Sequence, residues 1–161
     1  MTQYWCELAW LGAEQASRGV VLDIGDGRIV AVNEGAEVPP PGATRLDGLT
    51  LPGLANTHSH AFHRTLRGRT QSGATSFWTW RDEMYAAVAR LDPESYHRLA
   101  RAVFGEMVLA GITTVGEFHY VHHSPGGVPY ADPNAMGAAL VSAAAEAGLR
   151  ITLLDTCYLA G

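Results

Sequence analysis

The sequence predicts an α/β fold in which parallel strands are joined through helices, behind a shorter β-rich N-terminal segment. Three β-rich runs, Gly53 to His58, Ile112 to Phe118 and Ile151 to Cys157, are separated by stretches with helix signals. A crossover through a helix requires the strands it joins to run parallel. The first of these runs leads into His58-Ser59-His60, and alternation along a strand projects both imidazoles from one face.

Taken in order, Tyr4 to Trp10 alternates loosely, and Gly19 to Ile24 and Arg28 to Asn33 are β-rich runs joined across Gly25-Asp26-Gly27, a strong hairpin signal. Pro39-Pro40-Pro41-Gly42, within Gly35 to Ala43, cannot continue a ladder and reads as an extended connector. Arg45 to Thr50 returns to a strand before the Pro52-Gly53 turn. Beyond the histidines, Ala61 to Ala74 is rich in Arg, Gly and Thr and reads as a loop. Thr75 or Ser76 can cap a helix over Phe77 to Arg90, with Trp78, Met84, Tyr85 and Val88 available to pack. Asp92-Pro93-Glu94 supplies an N-cap and a proline at the first position of a second helix, which stops before Gly111. Asp132-Pro133 opens a third helix that closes at Gly148, and Arg150 to Cys157 is the next strand.

With 47% hydrophobic residues in 161, the chain can bury a core. A net charge of -5 and the lack of any Lys/Arg run argue against nucleic-acid and anionic-membrane partners, leaving small molecules. Cys6 and Cys157 lie far apart with no CxxC pattern, so neither a disulfide framework nor a cysteine zinc site is expected and a reducing compartment fits. The N-terminus has no basic region followed by an apolar segment, and no stretch reaches the length of a membrane span. The expectation is a soluble, cytoplasmic protein.

Taken alone, His58-x-His60 fits either two metal ligands or two hydrogen-bonded residues at a strand end. Its surroundings favour ligands: a Pro-Gly turn, a buried-type strand, the histidines, then Ala61-Phe62-His63-Arg64. This block resembles the first barrel strand of the amidohydrolase superfamily of metal-dependent hydrolases and deaminases. Two further strings, Ser76-Phe77-Trp78-Thr79-Trp80-Arg81-Asp82 and Gly111-Ile112-Thr113-Thr114-Val115-Gly116-Glu117-Phe118-His119-Tyr120-Val121-His122-His123, are similar to the formimidoylglutamate deiminase family. Those enzymes hydrolyse the formimino group of N-formimidoyl-L-glutamate to N-formyl-L-glutamate and ammonia in histidine degradation.

The resemblance implies the N-terminal part of a (β/α)8 TIM-like barrel, with residues 51–161 holding the first three β/α units and residues 1–50 part of a small β-sandwich. A complete barrel needs roughly 250 residues, so the chain is expected to be the front of a longer enzyme, inactive alone. His58 and His60 match the first two ligands of a divalent metal, zinc or alternatively iron. Two imidazoles are fewer than the three protein ligands a catalytic zinc ordinarily keeps, and the remaining ligands and proton-shuttling groups belong to later strands.

Arg81 matches an arginine that holds the substrate carboxylate, a bidentate charge-assisted pairing, and Tyr120 a tyrosine that lines the substrate pocket. His63 stands where the family commonly has a substrate-contacting glutamine, and an imidazole there adds a group that titrates near neutral pH. Glu117 reads either as a carboxylate that pairs with a cation or orients a ligand imidazole, or as a buried structural acid. His119, His122 and His123 fall near the site or line a wet loop. His97 reads as structural, and so does Asp155, because the family's metal aspartate comes from the eighth strand. A homodimer is expected of the full-length enzyme. Other readings are a deaminase acting on a purine or related ring, which Arg81 disfavours, and a non-catalytic β/α interaction module.

Overall fold

The computed structural model describes residues 1–70 and 76–158 and divides the chain into two compact units, Met1–Pro52 and Gly53–Gly161. The first holds strands β1 (Thr2–Ala9), β2 (Ser17–Gly25), β3 (Arg28–Asn33) and β4 (Thr44–Thr50) in one sheet of order β3-β2-β1-β4. β1 pairs antiparallel with β2 and parallel with β4, and β2 pairs antiparallel with β3. Asp26 and Gly27 both take positive φ, 50° and 72°, as a two-residue turn between right-twisted strands requires. Cys6, Ala9 and Val20 are buried together, with Leu22 and Leu46 packed on them. Gly19 has φ +58°, and a Cβ there would collide with the Ala36 carbonyl oxygen. That carbonyl accepts a hydrogen bond from Trp5 Nε1 at 2.9 Å, which holds the connector against the sheet.

In the second unit β5 (Leu54–Ser59), β6 (Ile112–His119) and β9 (Arg150–Asp155) form a parallel sheet in the order β5-β6-β9. A two-residue ladder, β7 (His123–Ser124) with β8 (Val128–Pro129), follows β6. The helices are α1 (Phe77–Val88), α2 (Pro93–Leu109) and α3 (Ala135–Ala147). On α2, Tyr96, Ala100 and Phe104 recur every fourth residue along one stripe, all fully buried. They share a core with Val115 and Val121 and with Met136, Leu140, Ala143 and Ala144 of α3. The other face of the sheet is open, with Leu54 and Leu154 exposed.

The capping expectations hold for α1 and α2, where Ser76 with Thr79 and Asp92 with Ser95 form reciprocal capping boxes. Thr75, the other candidate cap, lies outside the described residues. Three expectations are corrected. Ala61–Leu66 is a 3-10 helix rather than loop, because Phe62 and Leu66 are drawn into the core. Helix α3 starts at Ala135, not at Asp132-Pro133; the Asp132 side chain accepts from the Asn134 amide in a local turn. Trp78 and Tyr85 do not pack inside α1 but stay 65% and 50% exposed, each carrying the Arg81 guanidinium over its ring.

Candidate active site

Strand β6 sorts its side chains onto two faces. Val115, Glu117 and His119 are buried, the valine in the core shared with α2 and α3 and the His119 ring beside Tyr96 of α2. Phe118 and, just beyond the strand, Tyr120 lie on the opposite face, each edge-on to the ring of His60. Period-two alternation therefore separates one set of polar groups from the other.

On the second face His58 and His60 meet. Their Nε2 atoms are 3.2 Å apart, and His60 Nδ1 lies 3.0 Å from the Phe118 carbonyl oxygen. A carbonyl only accepts, so His60 donates from Nδ1 and its Nε2 carries the lone pair. Two imidazoles on one tetrahedral zinc ion hold their nitrogens roughly 3.3 Å apart, given metal–nitrogen bonds of about 2.0–2.1 Å. The spacing and the tautomer both fit a divalent metal ion. Burial lowers the pKa of His60, the Phe118 carbonyl opposes that and His58 adds to it, which keeps the ring neutral as a ligand must be.

His60 opens on a cavity of about 840 Å³ lined also by His63, Trp80, Arg81, Tyr120 and Tyr158, among others. His63 Nε2 and the Tyr120 hydroxyl are 2.9 Å apart, and the hydroxyl also reaches Met84 Sδ at 3.5 Å. Burial, with His60 and His58 adding to it, pushes the His63 pKa down to about 4. The near-neutral titration expected of His63 is thereby corrected: a half-buried imidazole beside two others stays uncharged at neutral pH. Burial pushes Tyr120 up to about 12, with Tyr158 and Tyr85 contributing, so it remains a phenol.

Arg81 projects into the same cavity from α1 and donates from Nη2 to the Tyr85 hydroxyl at 3.3 Å. Among the described residues no carboxylate forms an ion pair with it. A guanidinium stacked on aromatic rings with its fork unmatched is poised for an anion.

Glu117 lies under this site rather than in the cavity. It is fully buried, and its Oε1 accepts from the backbone amide of Ala61, the residue after His60. Burial raises its pKa, opposed by the Ala61 amide and then by Ser59.

His119, Asp155 and His122 gather away from the His58 and His60 pair. His119 Nε2 is 4.0 Å, and His122 Nδ1 3.7 Å, from Asp155 Oδ1. Burial drives His119 down to about 4; His122 adds to this and Asp155 opposes it. The sequence reading that made Asp155 structural missed this grouping, which depends on β6 and β9 pairing His119 with Asp155. His97 instead pairs with Glu146 at 3.0 Å, a contact between helices α2 and α3.

Residues 49–159 match the model of the amidohydrolase family. Formimidoylglutamate deiminase of Pseudomonas aeruginosa is 42% identical over 98% of the chain and 35% of its own length. An 8-oxoguanine deaminase of the same organism is 32% identical over 72% of the chain and 26% of its own length. The crystal structure of an amidohydrolase from Brucella melitensis superposes with a TM-score of 0.85 at 34% identity, covering 95% of this chain and 34% of that one. The chain thus spans about a quarter to a third of the length of these relatives. With the matched segment covering most of the sequence, the three parallel strands and the histidine pair included, this chain belongs to the amidohydrolase family.

Proposed function

We propose that the protein containing this chain hydrolyses the formimino C–N bond of N-formimidoyl-L-glutamate, releasing N-formyl-L-glutamate and ammonia. The observation that carries the proposal is a cavity lined by His60, one of the convergent histidine pair, and by an arginine unpaired among the described residues. The first suits a metal-dependent hydrolysis and the second a substrate with carboxylates. The similarity to formimidoylglutamate deiminase of Pseudomonas aeruginosa supports the same substrate.

In this reading His58 and His60 hold a zinc ion, which when bound polarises the electrophilic carbon and activates water. Arg81 takes a glutamate carboxylate in a bidentate grip and sets the distance from that anchor to the histidines. The Tyr120 hydroxyl and neutral His63 orient the polar end of the substrate by hydrogen bonding. Glu117 holds the Ala61 amide and so fixes where His60 points. The parallel strands β5, β6 and β9 are the first three of a closed (β/α)8 barrel, and Met1–Pro52 is part of a small β-sandwich. The enzyme is a cytoplasmic homodimer acting in histidine catabolism.

The aromatic lining, with Trp80, Tyr120 and Tyr158, supports a second reading, deamination of a purine-like ring stacked on these side chains. Zinc content and ammonia release decide, measured with N-formimidoyl-L-glutamate and with a purine panel. The 161-residue chain is assayed alone and fused to the downstream portion of its reading frame. Stoichiometric zinc and ammonia from the acyclic substrate with the longer chain are expected. Ammonia from a purine only, or from neither, overturns the substrate assignment.

A further inference from the structure

The cluster on the helix-facing side of the sheet is not used by the proposed chemistry. We infer that His119, His122 and Asp155 form a second, separate site for a divalent transition-metal ion, with zinc the best match to their donor atoms. One ligand atom from each of the three lies within 4.8 Å of the others. Two imidazoles and a carboxylate are a donor set zinc takes readily, leaving a fourth position for water.

The three groups are set in place by the backbone before any ion arrives. His119 ends β6 and pairs in register with Asp155, which ends β9. The Thr156 amide donates to the His119 carbonyl at 2.9 Å. His122 Nε2 donates to the Thr156 carbonyl at 2.8 Å, which leaves the lone pair on Nδ1, the nitrogen that faces Asp155. A hydrogen bond from the far nitrogen to a carbonyl is the usual support of a metal-binding histidine.

A further observation points to a ligand. His119 is only 2% exposed, and its Nε2 is the nitrogen that faces Asp155. At the point where α3 passes the ring, residue 137 is glycine, and a Cβ there would lie 3.6 Å from His119 Nε2. A larger side chain would close the space that the glycine leaves in front of that nitrogen. The space continues into a cavity of about 510 Å³, lined also by Asn134 and Ser142, through which water can reach the fourth position. The Asp155 side chain is 60% exposed, so an ion can enter from solvent. Once bound, it would clip the ends of β6 and β9 to the loop that carries His122.

The test uses the 161-residue chain carrying His58→Ala and His60→Ala, which removes the first site, and Cys157→Ser, which removes an exposed thiol. Zinc chloride titrated calorimetrically is expected to bind at about one equivalent. Adding Asp155→Asn, or separately His122→Gln, is expected to weaken binding at least about tenfold. The far-UV dichroism and the melting transition of the metal-free protein should stay unchanged. Cobalt(II) in the same background should give visible absorption that disappears with either substitution. Failure of the starting variant to bind zinc, or binding indifferent to both added substitutions, overturns the second site. Neither result bears on the reading of the first.

Discussion

His60 Nδ1 lies 3.0 Å from the carbonyl oxygen of Phe118, so the second histidine of the pair is aimed by a strand 58 residues away in sequence. The consequence for metal binding is direct. Zinc should raise the melting temperature of the chain, by mass action on the folded state. Part of that rise should depend on His60. His60→Ala is expected to cost more zinc affinity at this site than the roughly 10–100-fold typical of losing a partner to a ligating histidine. Thermal shift and equilibrium dialysis, run on a chain that also carries Asp155→Asn, check this outcome.

Arg81 supplies a sharper test of substrate class. Arg81→Lys keeps the charge but loses the planar fork, and a charge-assisted hydrogen bond contributes about 1.5–3 kcal/mol. In the full-length enzyme kcat/KM for an acidic amidine is expected to fall roughly 10–100-fold, mostly through KM, while a neutral amidine analogue should be turned over with unchanged efficiency. Equal losses on both substrates would remove Arg81 from substrate binding.

Tyr96 offers a stability prediction of unusual sign. It is fully buried, and among the described residues its hydroxyl has no hydrogen-bond partner. An unpaired buried polar group costs about 1–3 kcal/mol. Tyr96→Phe removes that group and little else, so urea denaturation should show a protein as stable as the parent or more stable by about 1 kcal/mol. A loss of 2 kcal/mol or more, taking roughly the size of a strong hydrogen bond, would mean that the hydroxyl has a partner.

Acid should destabilise the fold through its histidines. His63 and His119 are both held down to about 4 in the folded chain, against about 6.5 when unfolded. The unfolded chain therefore binds more protons as pH falls through 6.5, and stability declines from there down to about 4. Above 6.5 these two groups leave stability flat. Denaturation midpoints collected between pH 4 and 8 should follow this course, and His63→Gln should remove part of the slope. An unchanged slope in that variant would show that His63 is as accessible to protons in the folded state as in the unfolded one.

What could be read in the sequence was what neighbouring residues decide. The Asp92 and Ser95 capping box, the Asp26-Gly27 turn and the shared face of His58 and His60 each follow from local geometry. So do the helices that Pro93 opens and Gly148 closes. The grouping of His119 with Asp155 could not be read, because it needs the register between β6 and β9. Likewise, that Glu117 reaches the Ala61 amide depends on which face of β6 turns toward the turn after β5. Trp78 looked like a core residue by type, yet it stays in solvent beneath Arg81. Its place follows from how α1 is rotated against the sheet, which the weak periodicity of that helix does not specify.

The parallel pairing of β5 with β6 also has a kinetic side. The β2–β3 hairpin closes through a two-residue turn, whereas β5 meets β6 only after a chain segment of more than fifty residues has been brought round. Closing such a loop costs entropy before any contact compensates for it, and folds rich in such pairings assemble slowly. The contact that aims His60 belongs to this late step, as does the Ala61 amide bond to Glu117. The ability to capture an ion at His58 and His60 should therefore arise at the end of folding, making zinc uptake a clock for docking of the first two parallel strands.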